Sequence, residues 1–390
     1  MKLLFYCDTI FTFGGVQRVL AVLASNLSLN HDVTILTLDS PNIEDRSMYG
    51  MDKYPVKFDF IDYPDLSWKE YYPCKAYSYL YKKVLPQTQI TSDWYSNTSF
   101  PPSYQKLLAR KINQGNYDTV IGVHAFLSFH LASVSKRIKA KTIGWMHNSY
   151  QAFFEIEPAY LEKLENHFKY QMPKLSELIL LTRTDQELYK NKLNLPARFI
   201  YNPLTVEAIC AGSASYKKFI AVGRFARKHK GFDILLKAFA RFAENNSDWT
   251  LEIVGEGEEE ALYRSLISQH RLENRVTLSP FTKNIEQHYA SSSVYILSSR
   301  WEGFGLVQIE AMAHKLPVIS SDLPIARELF ENNSCAITFR SEDVEDLAEK
   351  MAFIAGKADL AAMGEQAYAF SKEFAVSKIT EQWEKLLSEL

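Results

Sequence analysis

Short apolar runs alternate with amphipathic stretches along most of the chain. Residues 3–7 have the composition of a buried strand, and Val19, Leu20, Leu23 and Leu27 give the next segment the spacing of one helix face. The first half predicts further strands at residues 31–38, 119–123, 141–146 and 177–181. Because strand, turn and helix in repeated succession are typical of parallel β-α-β units, the pattern predicts an α/β fold.

A second series of the same kind follows a break at residues 202–217, where Pro203 and a small, polar, glycine-containing stretch interrupt the rhythm. Its predicted elements are a helix at 232–242 and strands at 218–222, 250–254, 275–278, 294–297 and 317–320. We therefore predict two Rossmann-like domains with doubly wound parallel sheets, 1–204 and 205–375, that face each other across a cleft at the C-terminal ends of their strands. Residues 376–390 predict an amphipathic helix, which we expect to pack back on the first domain.

One segment, residues 68–117, departs from this rhythm and is rich in Tyr, Trp, Lys and Pro. It predicts helices, for which two interpretations stay open. The aromatic residues could cap a core, or they could form a surface for a membrane or an acceptor, since Tyr, Trp and Lys favour boundaries between polar and apolar phases.

Composition narrows the class of protein. With 390 residues, 47% apolar and 23% charged, the chain is long enough for two globular domains and lacks the signature of disorder. Residues 1–200 hold 23 Lys and Arg against 19 Asp and Glu, a net charge of +4, whereas the remainder holds 21 against 27, a net charge of −6. The basic excess of the first half suits an anionic surface or substrate but is too small for nucleic-acid binding.

Cysteine usage and hydropathy bear on the cellular setting. The four cysteines are scattered without a C-x-x-C pair, so we expect neither a zinc site nor a disulfide framework, and a reduced, cytoplasmic setting; they are Cys7, Cys74, Cys210 and Cys335. The N-terminal apolar run stops at Asp8 and is expected to be a strand rather than a signal peptide. The longest weakly polar run, 120–134, is shorter than the roughly 20 residues that span a bilayer. Membrane contact is therefore expected to be peripheral, at the inner face.

Two glutamates, Glu302 and Glu310, are the first candidates for chemistry. They stand eight positions apart in SSRWEGFGLVQIEAMA, which predicts a turn and a helix beginning near Leu306. The backbone N–H groups of Phe304, Gly305 and Leu306 at such a turn can bind a phosphate or diphosphate. Eight residues of helix rise about 12 Å, roughly the reach across a diphosphate between two sugar rings. We therefore expect Glu302 at the transferred sugar and Glu310 at the ribose; the alternative is that Glu302 caps the helix and Glu310 is solvated.

A basic loop follows the first predicted strand of the second half. It contains Gly223, Arg224, Lys230 and Gly231 in the segment GRFARKHKG. The Arg224 guanidinium and the Lys230 ammonium suit the two phosphates of a nucleoside diphosphate and would stabilise a departing anion. Because residues 227–229 are also basic, a merely solvated loop is the alternative.

Strand ends in the first half supply further candidates. Gly14 and Gly15 precede the first helix and allow close approach of a phosphate or sugar, unless they only form a tight turn. His124 and His147 end predicted strands, where each could hydrogen-bond a sugar hydroxyl or the acceptor, or be a satisfied core residue. The G-E-G at 255–257 is half of a dinucleotide fingerprint and a weak signal for NAD.

In their order and spacing, these motifs resemble a retaining glycosyltransferase of family 4, of the bacterial cell-surface polysaccharide type, with the two-domain GT-B architecture. The resemblance covers nearly the whole chain and is strongest at 219–325. The E-x7-E element of the family matches Glu302 and Glu310, and its sugar-contacting histidine resembles His124. Other matches are the diphosphate loop (Gly223, Arg224, Lys230, Gly231), the N-terminal glycine pair (Gly14, Gly15, with Gln17 where many members have Glu) and the nucleobase segment (Phe281, Thr282).

The resemblance implies transfer of a hexose from a nucleoside-diphosphate sugar to a saccharide or lipid-linked saccharide, with retained configuration. It implies catalytic roles for Glu302, His124, Arg224 and Lys230; we assign His147 to the acceptor. A front-face route is favoured over a double displacement with Glu302 as the nucleophile. Because no D-x-D motif occurs, we expect neither a metal nor another cofactor. A GT-B-like sugar-nucleotide epimerase or phosphorylase, or a non-catalytic binding module, is the alternative.

Overall fold

The computed structural model describes residues 1–43, 47–206 and 211–390, and its contacts divide the chain into two compact units. Unit 1 comprises Met1–Pro203 together with Val376–Leu390, and unit 2 comprises Leu204–Ala375. The acceptor-binding and donor-binding roles of the two units stay predictions. Residues 207–210 of the predicted boundary segment, including Cys210, lie outside the described residues.

Unit 1 is built on a seven-stranded sheet whose neighbouring strands pair in parallel, in the order β3-β2-β1-β4-β5-β6-β7. Its strands are β1 (Lys2–Cys7), β2 (Asp32–Thr37), β3 (Lys57–Phe60), β4 (Thr119–Val123), β5 (Lys141–Trp145), β6 (Glu177–Leu180) and β7 (Arg198–Phe199). Its first eight α-helices are α1 (Gly15–Leu27), α2 (Trp68–Lys83), α3 (Gln89–Ser99), α4 (Pro102–Gly115), α5 (Ala125–Val134), α6 (Tyr150–Phe154), α7 (Glu165–Gln171) and α8 (Arg183–Leu188). The central strands are predominantly apolar, as expected for a parallel sheet that is covered on both faces, and all five residues of β4 are buried.

Unit 2 contains a six-stranded parallel sheet in the order β10-β9-β8-β11-β12-β13. Its strands are β8 (Lys218–Val222), β9 (Thr250–Val254), β10 (Val276–Ser279), β11 (Val294–Leu297), β12 (Val318–Ser321) and β13 (Ala336–Phe339). Its helices are α9 (Arg227–Lys230), α10 (Phe232–Ala243), α11 (Glu260–Gln269), α12 (Ile285–Ala290), α13 (Leu306–Ala313), α14 (Pro324–Phe330), α15 (Val344–Gly356) and α16 (Leu360–Ser371). Parallel pairing places the C-terminal ends of β8 and β11, which are neighbours, at the same sheet edge.

The predicted α/β class and the two doubly wound parallel sheets are confirmed. Strands β4, β8, β9 and β11 have the predicted bounds, because each is a largely apolar run with a buried centre. The sequence analysis missed β3, β7 and β13. Each lies at an end of its sheet, where a strand is short and partly solvated and its apolar signal is weak.

The segment 68–117 forms the three helices α2, α3 and α4, as predicted. The interpretation that its aromatic residues cap a core applies only in part. Tyr95 of α3 is buried, but Tyr81 is the one buried residue of α2, and the remaining aromatic rings of α2 are exposed or half-buried.

The last helix, α17 (Val376–Glu389), packs within unit 1 through an apolar stripe. Trp383 is fully buried, and its ring lies 5.0 Å from that of Trp145 at the end of β5. No helix in the described ranges is both long enough and apolar enough to cross a membrane.

Candidate active site

Two loops at the C-terminal edge of the unit 2 sheet are joined by hydrogen bonds. One follows β8 and holds the predicted cations, and the other follows β11 and holds Glu302. The Ser298 hydroxyl donates a hydrogen bond to the Lys230 carbonyl at 2.9 Å, and the Arg300 backbone N–H donates to the His229 carbonyl at 2.7 Å. Residues more than 60 positions apart in sequence are therefore joined through backbone carbonyls of the first loop, which brings the Lys230 and Glu302 side chains to a common site.

Gly231 is required where the two loops touch. Its φ of 62° is in the left-handed region that favours glycine. A Cβ at this position would lie 2.1 Å from the Ser298 carbonyl oxygen, closer than any side chain can approach. The predicted glycine of the diphosphate loop thus permits the close approach that places Lys230 beside the second loop.

Lys230 and Glu302 form an ion pair. The Lys230 ammonium lies 2.6 Å from a Glu302 carboxylate oxygen, which also accepts a hydrogen bond from the Ser299 hydroxyl at 2.6 Å. The side chains are only 13% and 8% exposed. Burial by itself raises the pKa of Glu302, but the charge of Lys230 and the hydrogen bonds from Lys230 and Ser299 outweigh it and hold the pKa below its ordinary value of 4.5. Glu302 is therefore an ionised carboxylate held in a fixed position.

His229 lies flat against Trp301 and close to the carboxylate. The two rings are 3.7 Å apart and within 8° of parallel, and the His229 Nε2 lies 3.8 Å from a Glu302 oxygen. Burial, together with the charge of Lys230, lowers the pKa of His229 to about 4. At neutral pH the imidazole is uncharged and contributes packing rather than a second cation.

Arg300 attaches the second loop to the first turn of α10. Its guanidinium nitrogens lie 3.0 and 3.2 Å from the two carboxylate oxygens of Asp233, in the two-pronged geometry that suits this pair. The pKa of Asp233 is lowered by this contact in spite of burial. The sequence analysis singled out neither Ser299 nor Arg300, although both stand within three residues of Glu302 in the same motif.

The spacing argument for the two glutamates was wrong in its geometry. Helix α13 begins at Leu306 after Gly305, whose φ is 73°, so only the stretch from Leu306 to Glu310 is helical and rises about 6 Å. Glu302 precedes the helix and is not its N-terminal cap, which is Gly305. The predicted contact of the two carboxylates with two sugar rings therefore has no support from a 12 Å helical spacing.

Glu310 lies inside unit 2 rather than on a solvated face. It is 1% exposed and accepts hydrogen bonds from the Thr205 hydroxyl at 3.1 Å and the Tyr289 hydroxyl at 3.4 Å. Sequence analysis did not identify Thr205 or Tyr289, because each is distant from Glu310 along the chain. The role of Glu310 at a ribose stays a prediction.

The G-E-G at 255–257 has a packing role. A Cβ at Gly255 would lie 1.9 Å from the Gly223 carbonyl oxygen, and one at Gly257 would lie 2.7 Å from the Phe225 carbonyl oxygen. The Phe225 N–H donates to the Glu256 carbonyl at 2.7 Å. These glycines allow the loop after β9 to pack closely against the loop after β8. Packing therefore explains why glycine stands at both positions, and no dinucleotide-binding role is needed.

The remaining predicted donor-binding residues of unit 2 differ in exposure. Arg224 is exposed, and Phe281 is 45% exposed in the segment before α12. Thr282 and Leu306 are half-buried, whereas Phe304 is buried. The exposed Arg224 and Phe281 side chains are accessible to a ligand, whereas Phe304 could contribute only its backbone.

In unit 1, two predicted histidines lie at the same sheet edge. His124 follows β4 with a φ of 78°, unusual for a residue other than glycine, and its N–H donates to the Trp145 carbonyl at 2.8 Å. His147 is 8% exposed, and its Nε2 has no hydrogen-bond partner among the described residues. Burial lowers the pKa of both imidazoles, and the proximity of His124 lowers that of His147 further. Both rings are therefore neutral at pH 7.

The N-terminus of α1 also lies in unit 1. Gly14 is the N-terminal cap and has an extended backbone, and Gly15 is the first helical residue. The Gly14 N–H donates to the Tyr49 hydroxyl at 3.0 Å, and this hydroxyl donates to the Thr12 carbonyl at 2.9 Å. Tyr49 gave no signal in the sequence, since it is 35 residues from Gly14. Of the predicted site residues, Gly14, Gly15, His124 and His147 belong to unit 1, and all others belong to unit 2.

Comparison with known proteins connects these geometries to a family. Residues 212–370 match the family model described as glycosyl transferases group 1. An uncharacterized glycosyltransferase of Haemophilus influenzae is 27% identical over 289 residues, which cover 73% of this chain and 80% of the relative. The amylovoran biosynthesis glycosyltransferase AmsD of Erwinia amylovora is 24% identical over 99% of both chains. Among solved structures, HepE of Anabaena in complex with UDP and glucose has a TM-score of 0.75 over the full length of both chains, at 18% identity.

The fold and the matches define a glycosyltransferase with GT-B architecture. The loops that hold Lys230 and Glu302 both lie within the matched segment. Residues 212–370 thus match the group 1 glycosyltransferases, and a full-length relative is a glycosyltransferase of amylovoran biosynthesis.

Proposed function

We propose that the chain transfers a hexose from a nucleoside-diphosphate sugar to a hydroxyl group of a saccharide or lipid-linked saccharide, with retained anomeric configuration. Uridine is the base to test first, since HepE has been solved with UDP and glucose. The relationship to AmsD supports a role in cell-surface polysaccharide or glycan assembly. We further propose a cytoplasmic location with peripheral contact at the inner face of the membrane.

The contact between Lys230 and Glu302 carries this proposal. A buried cation and a buried carboxylate meet next to the N-terminus of α13, 2.6 Å apart. The cation can bind a phosphate oxygen while the carboxylate accepts hydrogen bonds from sugar hydroxyls. A hexosyl diphosphate presents these two groups side by side, so one ligand satisfies both side chains. Arg224, exposed on the same loop, would bind the second phosphate.

This geometry supports the front-face route. In that route the bond between the sugar C1 and the phosphate oxygen breaks, and the acceptor oxygen bonds to C1 from the same face. The acceptor proton passes to the departing diphosphate, whose charge Lys230 and Arg224 stabilise. Glu302 is already fixed by an ammonium group and a hydroxyl group, which suits a positioning carboxylate better than a nucleophile that must move toward C1.

Unit 1 would supply the acceptor side of the reaction. We assign His124 to the transferred sugar or the acceptor and His147 to the acceptor. Their neutral rings can donate or accept a hydrogen bond without placing a charge near the reacting carbon. The Nε2 of His147 has no hydrogen-bond partner among the described residues but is buried, so the acceptor assignment rests on the position of His147 at the strand end.

Nucleotide choice and transfer can be tested in sequence. Melting of the purified chain with UDP, GDP or ADP should show stabilisation by one of them, because a ligand of the folded state raises its stability. Incubation with the corresponding hexose donors should then release nucleoside diphosphate, and NMR of the product reports the anomer. Glu302→Gln should lower the rate by about 100-fold or more, the usual cost of losing a group aimed at the reacting centre.

A matched control for Glu302→Gln is Glu365→Gln, which alters an exposed carboxylate of unit 2. The proposal is abandoned if no nucleoside diphosphate stabilises the chain, or if Glu302→Gln turns over like wild type. An inverted product would remove the retaining mechanism and leave the transferase function intact.

We also propose that protein cations neutralise the leaving diphosphate without a divalent ion. The sequence has no D-x-D motif, and the described residues contain no group of three His, Cys, Asp or Glu side chains arranged to hold a metal. Activity should therefore persist in excess EDTA. Loss of activity on chelation, with recovery on adding Mg²⁺ or Mn²⁺, would contradict this proposal.

A further inference from the structure

Helix α2 presents an unusual outward surface. Trp68, Tyr72 and Tyr79 are 69%, 67% and 64% exposed, although large aromatic rings are normally buried. The exposed lysines Lys75 and Lys83 continue the series, with spacings of three and four residues that place all five side chains along one helix face. We name this row, Trp68, Tyr72, Lys75, Tyr79 and Lys83, the α2 outer face.

The fold does not need these aromatic rings. Helix α2 is held through its opposite side, where Tyr81 is buried and stacks on Tyr95 at 4.6 Å. On the same side, the Tyr77 hydroxyl donates to the Thr91 carbonyl at 3.1 Å. The outer face is therefore an addition to a helix that is already fixed to α3.

Helix α2 itself carries an excess of positive charge, although Asp62 and Asp65 precede it in the chain. Helix α2 contains four lysines and a single acidic residue, Glu70, which accepts a hydrogen bond from Ser67. At the C-terminal end of the helix Lys163 approaches Lys83, and the segments are joined where the Gln87 amide donates to the Lys163 carbonyl at 2.8 Å. Acidic groups lie nearby: Glu162 is 3.5 Å from Lys163, and Asp93 of α3 is paired with Lys174.

We propose that the α2 outer face is the surface with which unit 1 docks on an anionic phospholipid bilayer. Rows of Trp and Tyr among lysines are suited to the level of the headgroups, where the rings enter the acyl boundary and the ammonium groups meet lipid phosphates. Docking through the α2 outer face rests on the peripheral membrane location that is part of the proposed function. It does not depend on the proposed transferase activity.

Shape favours a bilayer over a saccharide as the occupant. From Trp68 to Tyr79 the row extends about 16 Å along an exposed helix. Small ligands bind in concave sites that enclose most of their surface, whereas this row lies on the convex side of a helix. A flat, deformable, negatively charged surface can contact all of its members together.

Vesicle flotation tests the proposal. The full chain should float with vesicles of phosphatidylcholine and phosphatidylglycerol, much less with phosphatidylcholine alone, and less again at high salt. The variant Trp68→Ser/Tyr72→Ser/Tyr79→Ser should bind at least about tenfold more weakly, because it removes the inserted apolar area. Each lysine near an anionic surface contributes about fivefold, so Lys75→Gln/Lys83→Gln should lose about 25-fold at low salt.

Matched controls are Tyr216→Ser/Phe353→Ser, which removes exposed rings of unit 2, and Lys136→Gln/Lys139→Gln, which removes exposed lysines of unit 1 elsewhere. Melting curves and nucleoside-diphosphate binding should be unchanged in every variant. This result separates failure of the membrane proposal from failure of the proposed transferase activity.

Three outcomes overturn the inference. The wild-type chain could fail to float with anionic vesicles, or the aromatic variant could float like wild type. Alternatively, size-exclusion chromatography could show that wild type self-associates and that the aromatic variant does not, which would assign the face to a second copy of this chain.

Discussion

Replacing Lys230 with methionine isolates the ion pair on which the proposed site depends. Lys230→Met keeps most of the side-chain volume along Gly223, against which the lysine methylene groups pack, and removes only the charge. The Glu302 carboxylate, whose side chain is 8% exposed, accepts hydrogen bonds from Lys230 and Ser299 in the wild type. In the variant only the Ser299 hydroxyl remains of these two donors. An uncompensated buried carboxylate is costly because it has lost both water and its counter-charge.

The magnitude can be bounded from the structure. Removing one partner of a buried ion pair costs about 3–5 kcal/mol. The carboxylate can escape by taking up a proton, and for an ordinary pKa of 4.5 this costs about 3 kcal/mol at pH 7. Protonation therefore caps the loss at about 3 kcal/mol. In a unit of about 170 residues, this corresponds to a decrease of about 6–12 °C in Tm.

Calorimetry of wild type, Lys230→Met and Lys230→Met/Glu302→Gln measures the effect. The double variant should recover most of the lost Tm, because it leaves no buried charge, whereas both variants should be inactive. Lys217→Met is the control, since Lys217 and its partner Asp248 are 50% and 55% exposed and such pairs contribute at most about 1 kcal/mol.

The pH dependence follows from the direction of the shift. Because the folded state lowers the pKa of Glu302, the stability due to the pair is fully present above pH 4.5 and is lost as the pH falls through the lowered pKa. The Tm difference between wild type and Lys230→Met should therefore shrink in acid. Equal melting temperatures at pH 7, or a double variant less stable than Lys230→Met, would refute this account of the site.

Three further changes test other parts of the geometry. Gly231→Ala should lower Tm by several degrees, since it combines a positive φ with a Cβ 2.1 Å from the Ser298 carbonyl oxygen, whereas Gly356→Ala, with open space around it, should not; equal melting curves would contradict the contact. His229→Gln should flatten the rise of stability with pH between about 4 and 6.5, by up to about 3 kcal/mol, because the folded state holds the imidazole neutral there; an unchanged slope in urea titrations would show that His229 is not the group responsible. Arg224→Ala should leave Tm unchanged, because the side chain is exposed, and should weaken nucleoside-diphosphate binding and turnover together; normal turnover would remove its proposed role.

Sequence analysis identified the main residues of the unit 2 site but did not predict the contacts between them. Glu302 and Lys230 were singled out from local motifs, and the fold brings them into contact. The two glutamates were assigned a separation from helix geometry alone, and this was wrong because the helix begins at Leu306, four residues after Glu302. The helix start near Leu306 was predicted correctly, so the error lay in applying the helical rise to the turn residues 303–305 as well.

Partners that are distant along the chain could not be predicted. Thr205 and Tyr289 hold Glu310, and Tyr49 approaches the N-terminus of α1. A hydroxyl group of this kind has no local signature, because its contact depends on where two separate segments pack. The same limit applies to Tyr81 and Tyr72 on α2, of which the first is buried and the second is exposed.

The sequence by itself determined most of the strands, the parallel α/β class and the order of the motifs, because burial on both faces requires continuous apolar runs and turns require glycine at particular places. Only the tertiary structure decided that Lys230 neutralises Glu302, that Glu310 is buried and that the outer aromatic rings of α2 are exposed. Each of these depends on which surfaces meet across long stretches of chain, and a one-dimensional pattern does not record the distances between residues that the fold brings together.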